Sequence, residues 1–110
     1  MQRCLFCEFV QRKEKCRIAY EDENIFALYD WNEYKPVHVI AFPKKHIGLN
    51  KKNSEEFEEQ RRILADSIPY IASVIQIKEG YELVTEEEEV HIPQNMEHLH
   101  FHMAGDKADL

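Results

Sequence analysis

His98-Leu99-His100-Phe101-His102-Met103, HLHFHM, reads as a β-strand with two unlike faces. Successive side chains of an extended chain point to opposite sides. His98, His100 and His102 therefore share one face, while Leu99, Phe101 and Met103 share the other and can meet a core. The chain holds six histidines in 110 residues, so this register is not a product of composition alone. Imidazoles stacked on one face suit two chemistries. They can form an open three-histidine site for a transition metal, or a nucleophile flanked by hydrogen-bond donors opposite an anionic group. The bland alternative is a solvated strand face that happens to carry histidines.

Working outward, alternation and β-branched content predict further strands over residues 16–21, 25–29, 37–42 and 81–85, with the histidine strand over 98–103. A short helix is expected over 6–12 and a long one over 54–77. Asn53 is the expected N-cap of the long helix, with Glu55 and Glu56 in its positively polarised first turn. Phe57, Leu64, Ile68, Ile71, Ala72 and Ile75 fall on one stripe, the spacing of a core-facing helix. Pro69 lies inside it and should bend it, since proline offers no donor to the carbonyl of Ala65. Residues 1–110 thus read as one α+β domain: a five-stranded antiparallel meander sheet with one long and one short helix, the sheet covered by helix on one face.

A formal charge of −7 disfavours nucleic acid as a partner, because phosphate backbones demand a basic surface. Any phosphate-bearing ligand must then be held by local groups. No apolar run approaches the roughly 20 residues that span a bilayer, and the first residues lack the apolar core of a secretion signal. Three cysteines, an odd number, argue for reduced thiols, so the expected location is the cytoplasm. Cys4 and Cys7 form C-x-x-C, a spacing at which a thiolate pair commonly grips Zn²⁺. The competing reading is two reduced thiols without metal. Cys16 has no evident partner and reads as a strand residue.

HLHFHMA, residues 98–104, resembles the signature of the histidine triad (HIT) superfamily, in which histidines alternate with apolar residues. PVHVIAFPKKHI (36–47) is similar to the family's third-strand segment and the turn after it. YEDENIFALYD (20–30) resembles the segment before that, and CLFCEFV (4–10) the opening of many bacterial members. The blocks occur in the family's order and cover nearly the whole chain, which points to the Hint-like branch.

That resemblance implies an α+β homodimer that binds purine nucleotides and hydrolyses nucleoside phosphoramidates or related nucleotide phosphate linkages. His100 takes the place of the nucleophile that attacks the α-phosphorus and forms a nucleotidyl-histidine. His102, with amides near Gln94 and Asn95, would stabilise charge on the phosphate oxygens, and His38 matches a fourth histidine beside the triad. Asp30 matches the acid that accepts from the ribose hydroxyls; Leu5, Phe6, Phe9 and Trp31 match the apolar positions around the base. Phe6 and Phe9 also read as plain core residues. Some bacterial relatives hold a structural zinc in a way that maps onto Cys4, Cys7, His46 and His98. The resemblance further implies a two-fold dimer with one continuous ten-stranded sheet. Residues 81–85 carry no proline or lysine to block an exposed edge, and Ile63, Val74 and Ile77 lie off the core stripe, free to form a second buried surface.

The chain departs from the family before the triad. Glu86 stands near the place of a usual asparagine and is followed by Glu87, Glu88 and Glu89, a run expected to be a solvated loop. Pro93-Gln94-Asn95 replaces Gly-Gln-Ser. Three function classes follow: a nucleotidyl hydrolase working through His100, a catalytically weak nucleotide-binding or scaffold protein, and a metalloenzyme using all three triad histidines as ligands.

Overall fold

The computed structural model describes residues 4–12, 15–30, 36–87 and 98–108. Trp31, Gln94 and Asn95, expected to contact ligand, lie outside these ranges, as do Glu88 and Glu89. In chain order the elements are α1 (Leu5–Val10), β1 (Ile18–Glu21), β2 (Ile25–Tyr29), β3 (Val37–Pro43), a 3-10 turn (Leu49–Lys51), α2 (Glu55–Ile75), β4 (Glu82–Val84) and β5 (Phe101–Gly105). Among the described residues no helix is long and apolar enough to cross a membrane.

The strands form the expected five-stranded antiparallel sheet, in the order β1-β2-β3-β5-β4. Only β1 to β3 follow one another as a meander. The last strand slips between β3 and β4, because α2 carries the chain away from β3 before β4 begins. The strand that carries His102 is therefore paired on both edges, by Val37–Ala41 on one side and by Glu82–Val84 on the other.

Alternation splits the sheet into two apolar layers. Val37, Val39 and Ala41 of β3, with Phe101 and Met103 of β5, pack with Phe57, Leu64, Ile68, Ile71 and Ile75 of α2. On the opposite face Phe26, Leu28, Ile40 and Phe42 pack with Phe6 and Phe9 of α1. The sheet is thus covered on both faces: α2 covers one, and α1 covers part of the face on which the histidines lie.

Local chemistry sets the helix ends. The N-cap of α2 is Ser54, not Asn53: the Ser54 hydroxyl accepts from the Phe57 amide at 3.1 Å. Asn53 instead takes a left-handed conformation, φ 77°, in the turn before it, one that asparagine tolerates better than most residues. At the other end Gln76 adopts φ 57°, and the Ile77 amide turns back onto the Ala72 carbonyl at 3.2 Å. The helix therefore stops short of Ile77, whose side chain joins the main core rather than a second surface. Ile63 is half-buried against that same core, whereas Val74 stays 48% exposed. Pro69 sits within α2, which runs on past it to Ile75.

Candidate functional site

The third strand and the turn after it position most of the site. The Asp30 amide donates to the His38 carbonyl at 2.9 Å, which sets Asp30 beside the start of β3. Past β3, the Leu99 amide donates to the Ile47 carbonyl at 2.8 Å and Gly48 pairs with His98. That bridge brings His46 onto His98, their ring centroids 5.0 Å apart. The triad is not one regular strand, since β5 begins only at Phe101 and His98 is held by the Gly48 bridge. The two-faced division still holds. Leu99, Phe101 and Met103 enter the α2 core, while His98 and His100 meet Phe6 on the other face.

Each triad imidazole has a different surrounding. His98 is fully buried, and its Nε2 lies 2.6 Å from the Pro43 carbonyl. A carbonyl only accepts, so Nε2 carries the proton and Nδ1 presents a lone pair. Burial pushes this ring down to about 4, partly opposed by the Pro43 bond, and His46 and His100 lower it further; it is neutral near pH 7. His100 is 3% exposed, and its Nδ1 lies 2.8 Å from the His98 carbonyl. By the same logic the neutral His100 ring carries its lone pair on Nε2. His102 is half-buried, with Nδ1 3.2 Å from Nε2 of His38. His38 Nδ1 in turn lies 3.4 Å from the Asp30 carboxylate.

A second cluster stands at the start of α1. Cys4 caps the helix and Cys7 follows one turn on, so both thiols face the same side. Cys4 Sγ is 3.4 Å and Cys7 Sγ 3.7 Å from Nδ1 of His98, and Cys7 Sγ is 3.3 Å from Nδ1 of His46. Ligand atoms of Cys4, Cys7, His46 and His98 all lie within 4.8 Å of one another. A tetrahedral ion bound at about 2.3 Å by sulfur and 2.0 Å by nitrogen sets sulfur and nitrogen about 3.5 Å apart. The donor set and its spacing fit such an ion, and the His98–Pro43 bond is the outer-shell contact that orients a histidine ligand. Without metal the thiols crowd each other: burial, with Cys4 alongside, pushes the Cys7 thiol up to about 12.

This arrangement separates the triad. Both ring nitrogens of His98 are engaged, one by Pro43 and one by the cysteines, so His98 does not join His100 and His102 as an open three-histidine metal site. Phe6 and Phe9 are 1% and 4% exposed and build the layer beneath the histidines, while Leu5 is half-buried at its margin. Cys16 precedes β1 and packs against that layer. The acidic run begins differently from the solvated loop expected of it. Glu86 is buried and bonded to the Arg61 guanidinium of α2, and Glu87 lies 3.7 Å from the same group. Arg61 also lies over Phe101, on the α2 side of the sheet and away from the imidazoles. Sequence reasoning missed the Pro43 and His98 carbonyls and the Arg61–Glu86 pair. A carbonyl is common to every residue type, so no side-chain pattern reveals it.

Known proteins resemble this chain along nearly its whole length. Residues 3–110 match the family described as "Scavenger mRNA decapping enzyme C-term binding". The chain belongs to the histidine triad superfamily. A solved HIT family hydrolase from Clostridium thermocellum is similar at 34% identity and TM-score 0.78, over 96% of this chain and 91% of that one. An uncharacterized HIT-like protein from Methanocaldococcus jannaschii is 27% identical over 91% of this chain and 76% of its own length. A 14 kDa zinc-binding protein from Zea mays is 26% identical over 92% and 80%.

The burial of His98 has a consequence for pH. In the metal-free protein the folded ring stays neutral down to about 4, whereas in the unfolded chain it takes up a proton near 6.5. The folded state therefore binds fewer protons within that window. Stability from this group is full above the unfolded value and falls as pH drops toward 4, by on the order of 3 kcal/mol. Urea unfolding of metal-free protein between pH 7.5 and 4.5 should show that fall, and His98→Asn should flatten it. An unchanged slope in the variant would assign the effect elsewhere.

Proposed function

We propose that this protein is a nucleotide-binding hydrolase that cleaves nucleoside phosphoramidates, or related nucleotide phosphate linkages, at the α-phosphorus. The observation that carries the reading is the bond between His100 Nδ1 and the His98 carbonyl. It sets the tautomer in which Nε2 holds the lone pair, the state a nitrogen nucleophile needs. In this reading His100 attacks phosphorus to form a nucleotidyl-histidine, and water then releases the nucleotide. His102, beside it with ring centroids 5.1 Å apart, supports charge on the phosphate oxygens. Asp30 accepts from the ribose hydroxyls. Leu5 offers apolar surface to a purine, and Phe6 and Phe9 support it from the core. Gln94, Asn95 and Trp31 complete the pocket by family resemblance. Pro93 and Asn95, where the family has Gly and Ser, favour a second reading: a nucleotide-binding protein with weak turnover.

His100→Ala should lower phosphoramidate turnover by several orders of magnitude, at least about 10⁴-fold, while AMP still binds. Mass spectrometry should trap the nucleotidyl adduct on His100 in the wild type. An adduct on His102, or none with unimpaired turnover in the variant, would overturn the assignment. Wild-type protein that binds AMP but turns over no phosphoramidate would favour the second reading.

The same proposal includes a structural zinc held by Cys4, Cys7, His46 and His98. When bound, the ion ties α1 to the triad segment and takes no part in the chemistry. Its binding to the folded state alone adds stability. Elemental analysis should find one zinc per chain, and chelation should lower the melting temperature without abolishing turnover. Zinc-free protein with Cys4 and Cys7 freely reactive would contradict this.

We also propose a two-fold homodimer. Strand β4 stands at a sheet edge, with Leu83 exposed on it and Tyr70 and Val74 exposed on α2. A self-complementary contact repeats each substitution twice. Light scattering should give twice the 13.2 kDa chain mass, and Val74→Asp should yield a monomer of lower stability. A wild-type monomer at micromolar concentration would refute the dimer.

A further inference from the structure

We propose that Asp30 is a positioning residue for His102, acting through His38, beyond any contact it makes with ribose. The inference rests on the reading that His100 and His102 do the chemistry. The observation is a file of polar atoms running from the end of β2 across β3 to β5. Asp30 Oδ2 lies 3.4 Å from His38 Nδ1, and His38 Nε2 lies 3.2 Å from His102 Nδ1. The file is largely shielded from water, with His38 and Asp30 side chains 11% and 9% exposed. Its first contact is long for a hydrogen bond, as such contacts often are before substrate tightens the site.

The direction of this file follows from donor chemistry. An ionised carboxylate only accepts, so it selects His38 with the proton on Nδ1. His38 Nε2 is then the acceptor, and His102 must turn an Nδ1–H toward it. Only the Nε2 proton of His102 is left to change during the reaction. In the first half-reaction His100 Nε2 forms its bond to phosphorus, and the departing nitrogen takes the electron pair of the broken P–N bond. That nitrogen also takes the Nε2 proton of His102. In the second half the water oxygen bonds to phosphorus and the P–N bond to His100 breaks, its pair returning to His100. One water proton goes to His102 Nε2, which restores the starting state. Throughout, Nδ1 keeps its proton, and one imidazole, that of His38, separates the Asp30 carboxylate from the ring that gives up and regains a proton.

Other groups stand around His102. His100 lies against it at 76° between rings, with its own Nδ1 committed to the His98 carbonyl. On the neighbouring strands Ile40 and Val84 stand directly opposite His102. Glu82 is exposed and is registered with Ala104, beyond His102. The backbone bond from the Asp30 amide to the His38 carbonyl explains why Asp30, just past the end of β2, holds its place beside the ring. A carboxylate offers several lone pairs, so Asp30 can accept from ribose and from His38 together.

Substrate truncation separates the two roles. Asp30→Asn and Asp30→Ala are compared with wild type on adenosine 5′-phosphoramidate and on its 2′,3′-dideoxy analogue. Positioning through His38 predicts that kcat falls at least about 10-fold on both substrates. A role confined to ribose predicts that KM rises on the first substrate and that nothing changes on the dideoxy analogue; that result would overturn the proposal. Nitrogen-15 NMR of nucleotide-free protein gives a readout independent of turnover. His102 should be Nδ1-protonated in wild type and lose that preference in both variants, and an unchanged pattern would also overturn it. If wild type turns over neither substrate, the hydrolase reading fails, while the His102 tautomer still decides the role of Asp30.

Discussion

The antiparallel pairing of Val37–Ala41 with Phe101–Gly105 is the constraint on which the rest depends. It sets Ile40 opposite His102 and Ala104 opposite His38, so the diagonal between the two histidines becomes a direct ring contact. A one-residue slip of β5 would turn His102 toward α2 and Phe101 and Met103 toward the site, because side chains alternate with a period of two. The apolar partners of Phe101 and Met103 on α2 therefore hold the register, and with it the chemistry. The insertion of β5 between β3 and β4 serves the same end. A strand paired on both edges cannot shift without breaking two ladders.

Within that register, backbone carbonyls divide the labour among identical side chains. Pro43 takes the Nε2 proton of His98 and leaves Nδ1 to the cysteines. The His98 carbonyl takes the Nδ1 proton of His100 and leaves Nε2 as its lone-pair nitrogen. His102 faces a fourth imidazole, that of His38, rather than a carbonyl. Three residues of one type thus hold opposite tautomers or different partners within five positions of chain. Burial reinforces the assignment at His98, where the cost of charging the ring keeps it neutral and available as a ligand.

The two faces of the sheet are also unlike in what they tolerate. The α2 face is a continuous apolar layer, closed at one end by the Arg61–Glu86 pair. There one carboxylate oxygen of Glu86 is paired with the Arg61 guanidinium, so the acidic run begins inside the protein rather than in solvent. The histidine face is aromatic beneath and polar above. Phe6 stacks on Phe42 at 4.4 Å and meets the edges of His98 and His100. The short helix α1 thereby supports the floor of the site while its cysteines reach the metal-type cluster beside it.

By itself the sequence determined the α+β class, the number of strands and the face on which the histidines lie. Periodicity reports side-chain direction, and HLHFHM and the α2 stripe are strongly periodic. C-x-x-C was equally legible, since one helical turn suffices to bring Cys4 and Cys7 together. Strand order was not legible, because nothing local distinguishes a final strand added at the edge from one inserted beside β3. Nor was the cap: Asn53 and Ser54 are both good caps, and the turn chose between them by placing Asn53 at φ 77°. Ile77 followed the helical stripe poorly and yet is core, because left-handed Gln76 turns the chain back toward the sheet. Above all, only the tertiary structure decided which nitrogen of His98 and of His100 is protonated. That choice rests on the carbonyl of distant Pro43 and on the nearby carbonyl of His98, backbone groups that every sequence contains and only a fold aims at a ring.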